Sequence, residues 1–489
     1  MKDPGFLFVD LVDLPHRDRR ELRSHVMKRV VHQKKRKKDP SAPTTAATKG
    51  IVPSGEPQLL PKTLPIEPIN PPKVDKYLPA GRVDPFNCLA LPMTHSMHYL
   101  FDYYATVLGP LHYPPPRTLG RNPMTLTWIS AALNDSALLH STLSSASGFL
   151  HGNANKPSRD PQLLADHFQH KAEAMRLVNE RVQSDDMTRA ASDETLGAIA
   201  LLLTNQTIQG DFFEMMVHMR GLARLVQWRG GLEGLGMGGL LAGELLWCDN
   251  VSAFIIGSKP LLTLPETMYT VLTTFDDPAI NAIFDLPLPP PGASLLSDPE
   301  ISSVLSEDLL LLFRSLDTMT TLLNTIPALS EYDMLIFDRR RAILQHHLAN
   351  LQHLPAITET DKTTAACLLA TIVYSMLALW GFRPPSEAYS RISYRFRPAL
   401  MKTDLNNHWG KWWELLLWVL FMGAYSSLET DETTWLCKRI EILCESKGLT
   451  EWEDVRATLY RLPMQDALMS GFQWLWVEQC NGNSKLDLK

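Results

Sequence analysis

The sequence predicts an all-α protein, in which a large multi-helix body follows a disordered basic arm and a proline-rich linker. Three observations lead to this fold class. Beyond Phe86 apolar residues recur at a spacing near 3.6, strand-like alternation bounded by turn dipeptides is almost absent, and prolines cluster before that point. With 489 residues, 45% of them apolar, the chain is long and apolar enough to bury a large core.

The first 38 residues form an electrostatic region of their own. They hold 12 of the 47 Lys and Arg residues and 5 of the 53 Asp and Glu residues, so 35 basic and 48 acidic residues remain for the rest of the chain. The arm therefore carries a net charge of +7 and the remainder carries −13. Such a difference in sign indicates that the arm and the body bind different kinds of partner.

The arm ends in five consecutive basic residues, which are Lys34, Lys35, Arg36, Lys37 and Lys38. A run of this kind predicts a nuclear localisation signal that an import receptor binds. It also fits an arm that contacts DNA phosphates without reading bases, which gives only non-specific affinity. A solvated charged tail is the third interpretation.

Residues 39–85 are expected to form a semi-extended linker. Eleven prolines lie between Pro40 and Pro85, and each fixes φ and lacks a backbone N–H donor. The helical body is therefore assigned to residues 86–480 and a short tail to 481–489.

One helix can be read in full from its sequence. Between Asp211 and Arg229 the apolar residues fall on one stripe with a period of 3.6, Asp211 is available as the N-cap, and Gly230 with Gly231 provides a left-handed stop. A helix also begins at Ser192, whose hydroxyl caps it. Further helices are predicted at about 163–183, 238–256, 305–327, 331–354, 362–382, 411–427, 432–447 and 464–478.

The segment Thr363–Phe382 contains twenty consecutive uncharged residues, enough to cross a bilayer. Five of these residues are Thr, Ser or Gly, and the neighbouring segments are amphipathic. A large helical body also needs at least one helix that is buried all round. We therefore predict a core helix and no membrane span.

Two sequence patterns resemble a dinucleotide-binding loop and a metal site, but the residues around them do not support either function. Gly234, Gly236 and Gly239 match G-x-G-x-x-G, but they follow a predicted helix instead of a strand, so a flexible interhelical loop is expected. His346 and His353 are about two turns apart on a predicted helix, too far for one metal ion, and with His347 they are predicted to be partly exposed helix residues.

Nine of the twelve tryptophans lie between Trp380 and Trp476. An aromatic platform for a ligand is conceivable, but rings at helical spacing favour core anchors. The six cysteines form no C-x-x-C pair, which indicates a reducing compartment and no zinc finger. We expect no metal, no cofactor and no catalytic residues, although an unrecognised helical enzyme is a remote alternative.

An ordered set of motifs along the chain resembles the fungal-specific transcription factor domain of the second type. The motifs are Gly81–Phe86, Tyr103-Tyr104, Asp135, His140, His218–Leu222, Arg229–Gly231, Trp247, Asp249, Trp418, Gly423-Ala424 and Leu475-Trp476. Phe6–Val9 and Arg23–Met27 are similar to the beginning of a subgroup of these proteins. The resemblance covers roughly residues 81–480 and implies an all-helical regulatory domain.

Members of the family usually carry this domain downstream of a zinc binuclear cluster that binds DNA. Such a cluster needs six cysteines within about thirty residues, and residues 1–87 contain none. We therefore expect this chain to lack sequence-specific DNA binding by that route. The shared motif residues, Asp84, Pro85, Phe86, His218, Gly221, Arg229, Gly230 and Gly231, are interpreted as a packing signature.

The sequence thus predicts a nuclear regulator of transcription that acts through protein or effector contacts of its helical body. The alternative is a cytoplasmic helical scaffold whose basic arm touches an anionic membrane surface. Target genes, the sign of regulation and the oligomeric state are left open by the sequence.

Overall fold

The computed structural model of the protein describes residues 89–111, 117–118, 127–153, 160–265, 295–325, 328–329, 331–353, 362–380, 384, 386–403, 405 and 409–480. All of these residues lie in the compact unit Pro65–Lys489. The predictions for the basic arm with Lys34–Lys38, the linker 39–85, the motif Asp84–Phe86 and the tail 481–489 fall outside the described residues.

The described residues form an array of α-helices, which confirms the all-α fold class. In chain order the helices are α1 His95–Tyr103, α2 Ile129–Asn134, α3 Ser136–Asn153, α4 Pro161–Gln183, α5 Met187–Ala190, α6 Asp193–Gln209, α7 Phe212–Trp228, α8 Leu240–Ile256, α9 Glu307–Thr325, α10 Glu331–Leu351, α11 Lys362–Trp380, α12 Glu387–Ser393, α13 Phe396–Met401, α14 Trp413–Ser426, α15 Asp431–Lys447, α16 Trp452–Leu459 and α17 Met469–Leu475.

Short irregular elements complete the described part. A π turn at Tyr104–Leu108 and a single turn at Gly109–Leu111 extend α1, and a π turn at Trp476–Cys480 extends α17. Two-residue strands, β1 Arg117–Thr118 and β2 Ala328–Leu329, pair in parallel, with Arg117 opposite Ala328. The 3-10 turns are Leu232–Gly234, Met237–Gly239, Leu295–Ser297, Pro299–Ser303, Gly410–Trp412 and Asp466–Leu468.

Helix α7 has the ends that its sequence predicted. The Asp211 carboxylate accepts the backbone N–H of Glu214 at 3.1 Å, which satisfies one free donor of the first turn. At the other end Gly231, at φ +91°, donates its N–H to the carbonyl of Val226 at 2.9 Å. This 6→1 bond is the closing bond of a Schellman motif and requires a left-handed residue before it.

The other predicted helices are also present, with ends shifted by about three residues or fewer. The exception is 464–478, where the regular α-helix α17 has seven residues between a 3-10 turn and a π turn. The shorter helices α1, α2, α5, α12, α13 and α16 were not predicted.

Three helices, α8, α11 and α14, form the centre of the core and are buried around nearly their whole circumference. Sixteen of the seventeen residues of α8 and thirteen of the fourteen residues of α14 are buried. Helix α8 packs on α6 and α10, whereas α11 packs on α9, α10, α13 and α14. Helices α7 and α12 also pack on α8, and α12, α15, α16 and α17 pack on α14.

Two segments are long and apolar enough to cross a membrane by length and composition, Met237–Ile256 and Thr363–Trp380. In the structure 89% and 94%, respectively, of the most apolar 18 residues of each segment are buried inside the protein. This burial agrees with the prediction of a core helix at 363–382, and the sequence had indicated only that one of the two.

Helix α3 is a long central helix that the apolar pattern did not reveal. It packs on α1, α2, α4 and α6, yet its buried residues include small hydroxyl side chains. The Thr142 hydroxyl donates to the carbonyl of Leu138 at 2.8 Å, and the Ser147 hydroxyl donates to that of Leu143 at 2.8 Å. Because these hydroxyls are satisfied within the helix, α3 can be buried without an apolar stripe.

Six of the nine tryptophans from Trp380 to Trp476 are buried, which confirms them as core anchors: Trp380, Trp409, Trp412, Trp418, Trp452 and Trp476. Trp418 lies 5.3 Å from the ring of Phe313 and 5.6 Å from that of Tyr374, measured between centroids. Its indole N–H donates to the carbonyl of Pro463 at 3.1 Å. The largest side chain of α14 is thereby both packed and hydrogen-bonded.

Candidate functional site

The described residues of the shared motif, from His218 to Gly231, lie on α7 and directly after it, and the end of α7 contacts the start of α6. Arg229 follows the last residue of α7 and donates to the carbonyl of Ala191 at 2.8 Å, to the carboxylate of Asp193 at 3.0 Å and to the carbonyl of Gly234 at 2.8 Å. One guanidinium therefore connects the end of α7, the start of α6 and the loop that follows.

The glycine-rich segment 230–239 connects α7 to α8, so it is interhelical, as predicted, and no strand precedes it. It is more ordered than the flexible loop that the sequence suggested, because it contains two 3-10 turns and accepts hydrogen bonds from Arg229. A Cβ atom at Gly236 would collide with the carboxylate of Asp193. The glycines here serve a tight turn and a close approach.

His218 and Gly221 lie on the inner face of α7, where both are buried. The Nε2 atom of His218 is 3.7 Å from the carboxylate of Glu214, and the Nζ atom of Lys171 on α4 is 3.3 Å from the same carboxylate. The adjacent imidazole of His218 and the charge of Lys171 lower the pKa of Glu214 against the opposing effect of burial. These three side chains join α7 to α4.

Asp135, another motif residue, connects three further helices. Its carboxylate accepts the backbone N–H of Leu138 at 3.0 Å, in the first turn of α3, and the guanidinium of Arg181 on α4 at 2.7 Å. Arg181 also donates to the hydroxyl of Thr195 on α6 at 3.0 Å. Arg181 is only 7% exposed, so this charge is buried together with its counter-charge.

Buried histidines line the interface between α3 and α4. The Nδ1 atom of the motif residue His140 lies 2.9 Å from the Nδ1 atom of His170. Burial lowers the pKa of both rings, and for His170 burial and the adjacent His140 lower it to about 4. A hydrogen bond between two Nδ1 atoms needs one of them unprotonated, so at least one of the two rings is neutral.

His167 is the third buried histidine of this interface, and the sequence had not singled it out. Its Nδ1 atom donates to the carbonyl of Ser144 at 2.8 Å, and its Nε2 atom lies 2.7 Å from the side-chain amide of Gln209. The hydroxyl of Ser144 is 3.1 Å from Nδ1, but Ser144 is fully buried. This pair therefore presents no nucleophile to solvent. The one feature of the sequence that could have indicated this cluster is that His167 and His170 lie three residues apart, on the same face of α4.

The motif residues of α8 also make internal contacts. The Asp249 carboxylate accepts the N–H of Leu261 at 2.8 Å and that of Leu262 at 2.7 Å. Burial raises the pKa of Asp249 to about 7, although these two amides favour its charged form. Trp247 packs on Trp380, with 5.4 Å between ring centroids. Asp249 therefore contacts the segment that follows α8, and Trp247 contacts the end of α11.

A buried cation lies next to these tryptophans. The Arg341 guanidinium, 1% exposed, lies 3.1 Å from the ring centroid of Trp380, donates to the carbonyl of Leu379 at 2.9 Å and pairs with Asp338. Asp338 lies close to α8. A Cβ atom added at Gly243 of that helix would be only 2.5 Å from the Asp338 carboxylate. Helices α8, α10 and α11 therefore share one satisfied charge pair.

The prediction of partly exposed histidines at 346, 347 and 353 was wrong for His346. It is 3% exposed, because it faces the interior from α10, and burial together with His347 lowers its pKa to about 4. His353 is exposed and follows the end of α10. Among the described residues no three His, Cys, Asp or Glu side chains are arranged to hold a metal ion.

A surface cleft of about 380 Å³ lies between the 3-10 turn Pro299–Ser303 and α9. Its lining includes Asp298, Glu307, Leu310 and Arg314. None of the motif residues that the structure describes lines this cleft.

Comparison with known proteins identifies one family. The model of the fungal-specific transcription factor domain matches residues 99–462, about three quarters of the chain. The match contains the motif positions from Tyr103 to Trp418, all within the described helices or their connections. No curated protein and no solved structure matches the chain.

Arg229→Ala is expected to lower the free energy of unfolding by about 1–3 kcal/mol, because it removes charge-assisted hydrogen bonds and leaves partly buried acceptors without donors. Urea unfolding followed by far-ultraviolet circular dichroism measures this. Arg176→Ala is the matched control, since that guanidinium pairs with Glu173 and Glu180 on the exposed side of α4 and should have little effect. Equal destabilisation by the two variants would contradict the role given to Arg229.

His170 and Asp249 should change the pH dependence of stability in opposite directions. His170 has a folded pKa of about 4, below that of an unfolded histidine, so its stabilisation is present above about pH 6.5 and is lost as the pH falls toward 4. Asp249 has a folded pKa of about 7, above that of an unfolded aspartate, so its contribution becomes less favourable as the pH rises from about 4 to 7.

Urea unfolding at a series of pH values between 4 and 7 tests both assignments. In His170→Gln the unfolding free energy should rise less steeply with pH than in the parent chain, and in Asp249→Asn it should rise more steeply. Parallel curves for all three proteins would show that neither group titrates as its burial requires.

Proposed function

Because the chain belongs to the fungal-specific transcription factor domain family, we propose that it is a nuclear regulator of transcription whose helical body acts through contacts with protein partners or a small effector. The observation that carries this proposal is the extent of the family match, which covers most of the helical body from α1 to the end of α16. The family indicates regulation of transcription, and the nuclear site of action is our inference.

The basic run at the end of the arm supports a nuclear location. Lys34, Lys35, Arg36, Lys37 and Lys38 place five cations in five residues, directly before a proline-rich stretch. Such clusters bind the acidic grooves of import receptors through charge. The same cations would give any DNA contact of the arm a strong salt dependence and no base specificity.

We also propose that the chain acts without a zinc cluster of its own. Its first cysteine is Cys88, and the other five are spread from Cys248 to Cys480. Two zinc ions that share thiolates need six cysteines close together. Regulation would then depend on recruitment by, or to, another protein instead of direct reading of a DNA sequence.

A regulatory role is favoured over catalysis by the way the motif residues are used. Asp135, Arg229 and Asp249 each contact another part of the helical body, and His218 is buried beside Glu214 on α7. The Ser144–His167 pair, which has the residue types of a nucleophile and a base, is buried. We therefore propose that the protein is not an enzyme.

Alanine substitution of all five residues Lys34–Lys38 should abolish nuclear accumulation of a fluorescent fusion of the full chain, because the import receptor loses its charged ligand. The melting temperature should be unchanged, since exposed charges outside the helical body contribute little to stability. Alanine substitution of Lys438 and Lys447, exposed basic residues of α15, is the matched control and should leave the location unchanged.

An intact protein that stays in the cytoplasm or on membranes would refute the proposal and favour the scaffold alternative. Nuclear entry with all five residues changed would refute the assigned signal only. To test regulation itself, residues 86–480 fused to an unrelated DNA-binding domain should change expression of a reporter gene that carries the cognate DNA site.

A further inference from the structure

Two cysteines that are 43 residues apart in the chain meet in the interior of the body. Cys437 lies on the inner face of α15, and Cys480 is the last residue of the π turn Trp476–Cys480, which packs on α15. Their Sγ atoms are 2.6 Å apart, and both are free thiols. The side chains are only 4% and 2% exposed, so the rest of the protein covers the contact.

The two sulfur atoms are closer than non-bonded atoms ordinarily pack. Heavy atoms in van der Waals contact are about 3.5–4.0 Å apart, whereas the two sulfurs of a disulfide are about 2.05 Å apart. A movement of about 0.6 Å along the line between the Sγ atoms of Cys437 and Cys480 would bring them to bonding distance. The tertiary fold therefore holds the two thiols ready to bond.

A third cysteine of the same region, Cys444, is placed differently. It is also buried on the inner face of α15, seven residues after Cys437. Seven residues of an α-helix correspond to two turns and a rise of about 10 Å, whereas a disulfide needs its two Cβ atoms within about 4.5 Å. Cys480, which touches Cys437, is therefore matched to that partner and not to Cys444.

The closed structure protects these thiols from oxidation. Burial and the adjacent thiol of Cys437 raise the pKa of Cys480, and burial raises the pKa of Cys444 to about 12. A neutral, buried thiol reacts slowly, because the thiolate is the nucleophile. An oxidant can therefore attack only when the structure around the pair opens.

The π turn is the element whose opening would expose the pair. Val477, Glu478 and Gln479 are all exposed, so Cys480 is buried at the end of a turn that is otherwise in contact with solvent. Helix ends fray and open locally more readily than helix centres do. Turns of π geometry are also rare and are often found at functional positions.

We infer that Cys437 and Cys480 form a reversible disulfide when hydrogen peroxide oxidises one of them, and that this bond fixes the π turn to α15. The absence of closely spaced cysteine pairs in the sequence indicates a reducing compartment, in which the dithiol is the resting form. The inference does not depend on the proposed function, because it concerns only the chemistry of this pair.

The reaction has two steps. In the first, the Cys480 thiolate, exposed by opening of the π turn, attacks one oxygen of the peroxide. An S–O bond forms, the O–O bond breaks, and water leaves with the proton of the thiol, so that a sulfenic acid remains. In the second, the turn closes and the sulfur of Cys437 attacks the sulfenic sulfur. The S–S bond forms, the S–O bond breaks, and a second water carries away the proton of Cys437.

The electrons balance, since the two sulfur atoms lose two electrons and the peroxide gains them. Two molecules of a small thiol such as glutathione reverse the reaction by exchange and become a disulfide themselves. The bond closes a loop that contains α16 and α17 and restricts the unfolded chain. Peroxide thus converts a turn that opens locally into one that stays docked.

The test treats the full chain, purified in the reduced state, with hydrogen peroxide, then unfolds it in iodoacetamide and digests it with trypsin. Cleavage after Lys438 and Arg439 separates Cys437 from Cys444, so mass spectrometry identifies the partner of Cys480 directly. The expected product joins the peptides of Cys437 and Cys480 and is two hydrogen atoms lighter than their sum. Dithiothreitol should abolish it.

Cysteine variants supply the controls. Cys480→Ser and Cys437→Ser should each abolish the cross-linked peptide, whereas Cys444→Ser, at a buried cysteine of the same helix, should retain it. In Cys437→Ser the sulfenic acid of Cys480 has no partner, so dimedone should label it. Oxidation should raise the melting temperature of the parent chain and of Cys444→Ser by about 3 °C or more and leave that of Cys480→Ser unchanged.

Melting of the reduced proteins shows whether each variant is folded, and Cys480→Ala replaces Cys480→Ser if the buried hydroxyl prevents folding. Full alkylation of both thiols after peroxide treatment would overturn the inference, as would a bond between Cys480 and Cys444. Bridging only in urea-unfolded chain, cross-links between two chains, or oxidation to sulfonic acid without a bridge would refute it equally, because the native contact would then have no role in the chemistry.

Discussion

The organisation of the body depends on three largely apolar helices, α8, α11 and α14, which are buried around nearly their whole circumference. A helix of this kind is stable in water only if other helices enclose it, since each exposed apolar side would cost about 25 cal/mol per Å². In the structure α6 and α10 pack on α8, and α9, α10 and α13 pack on α11. The positions of these neighbouring helices thus follow from the apolar surfaces of α8 and α11 that they bury.

Polar contacts then fix the positions of the covering helices. Arg181 ties α4 to the start of α3 and to α6, Arg229 ties the end of α7 to the start of α6, and Arg341 pairs with Asp338 beside Trp380. Each of these guanidiniums satisfies several acceptors at once, which a lysine could not do in the same geometry. Removing one partner of such a contact leaves a buried or partly buried polar group unsatisfied.

The residues that resemble a family motif are therefore spread over the body but share one kind of role in the structure. Asp135, Arg229 and Asp249 each contact a different helix or turn, and His218 lies beside Glu214, the residue of α7 that pairs with Lys171 of α4. The sequence alone supported this interpretation only through the stripe of α7 and the glycines that follow it. The partner helices, α4 and the start of α6, could not be identified, because the apolar pattern does not encode which helix a polar side chain meets.

Regular amphipathic helices were predictable because their period and their caps are local properties, as Asp211 and Gly231 show for α7. Helix α3 was not, since its buried Ser and Thr side chains look like a loop composition and become compatible with a core only through hydrogen bonds to the preceding turn. The burial of His346 was equally hidden, because a histidine is found both inside and outside proteins and its orientation depends on the tertiary packing.

The enclosure of the three apolar helices is tested most directly by native-state hydrogen exchange of the full chain, resolved by mass spectrometry of peptides. The account predicts that the amides of α8, α11 and α14 exchange only through global unfolding, with one common free energy, and that those of α5 and α16 exchange much earlier through local opening. Exchange of α11 at the rate of α16 would contradict the claim, because a helix that opens on its own cannot be the one that the others are built around.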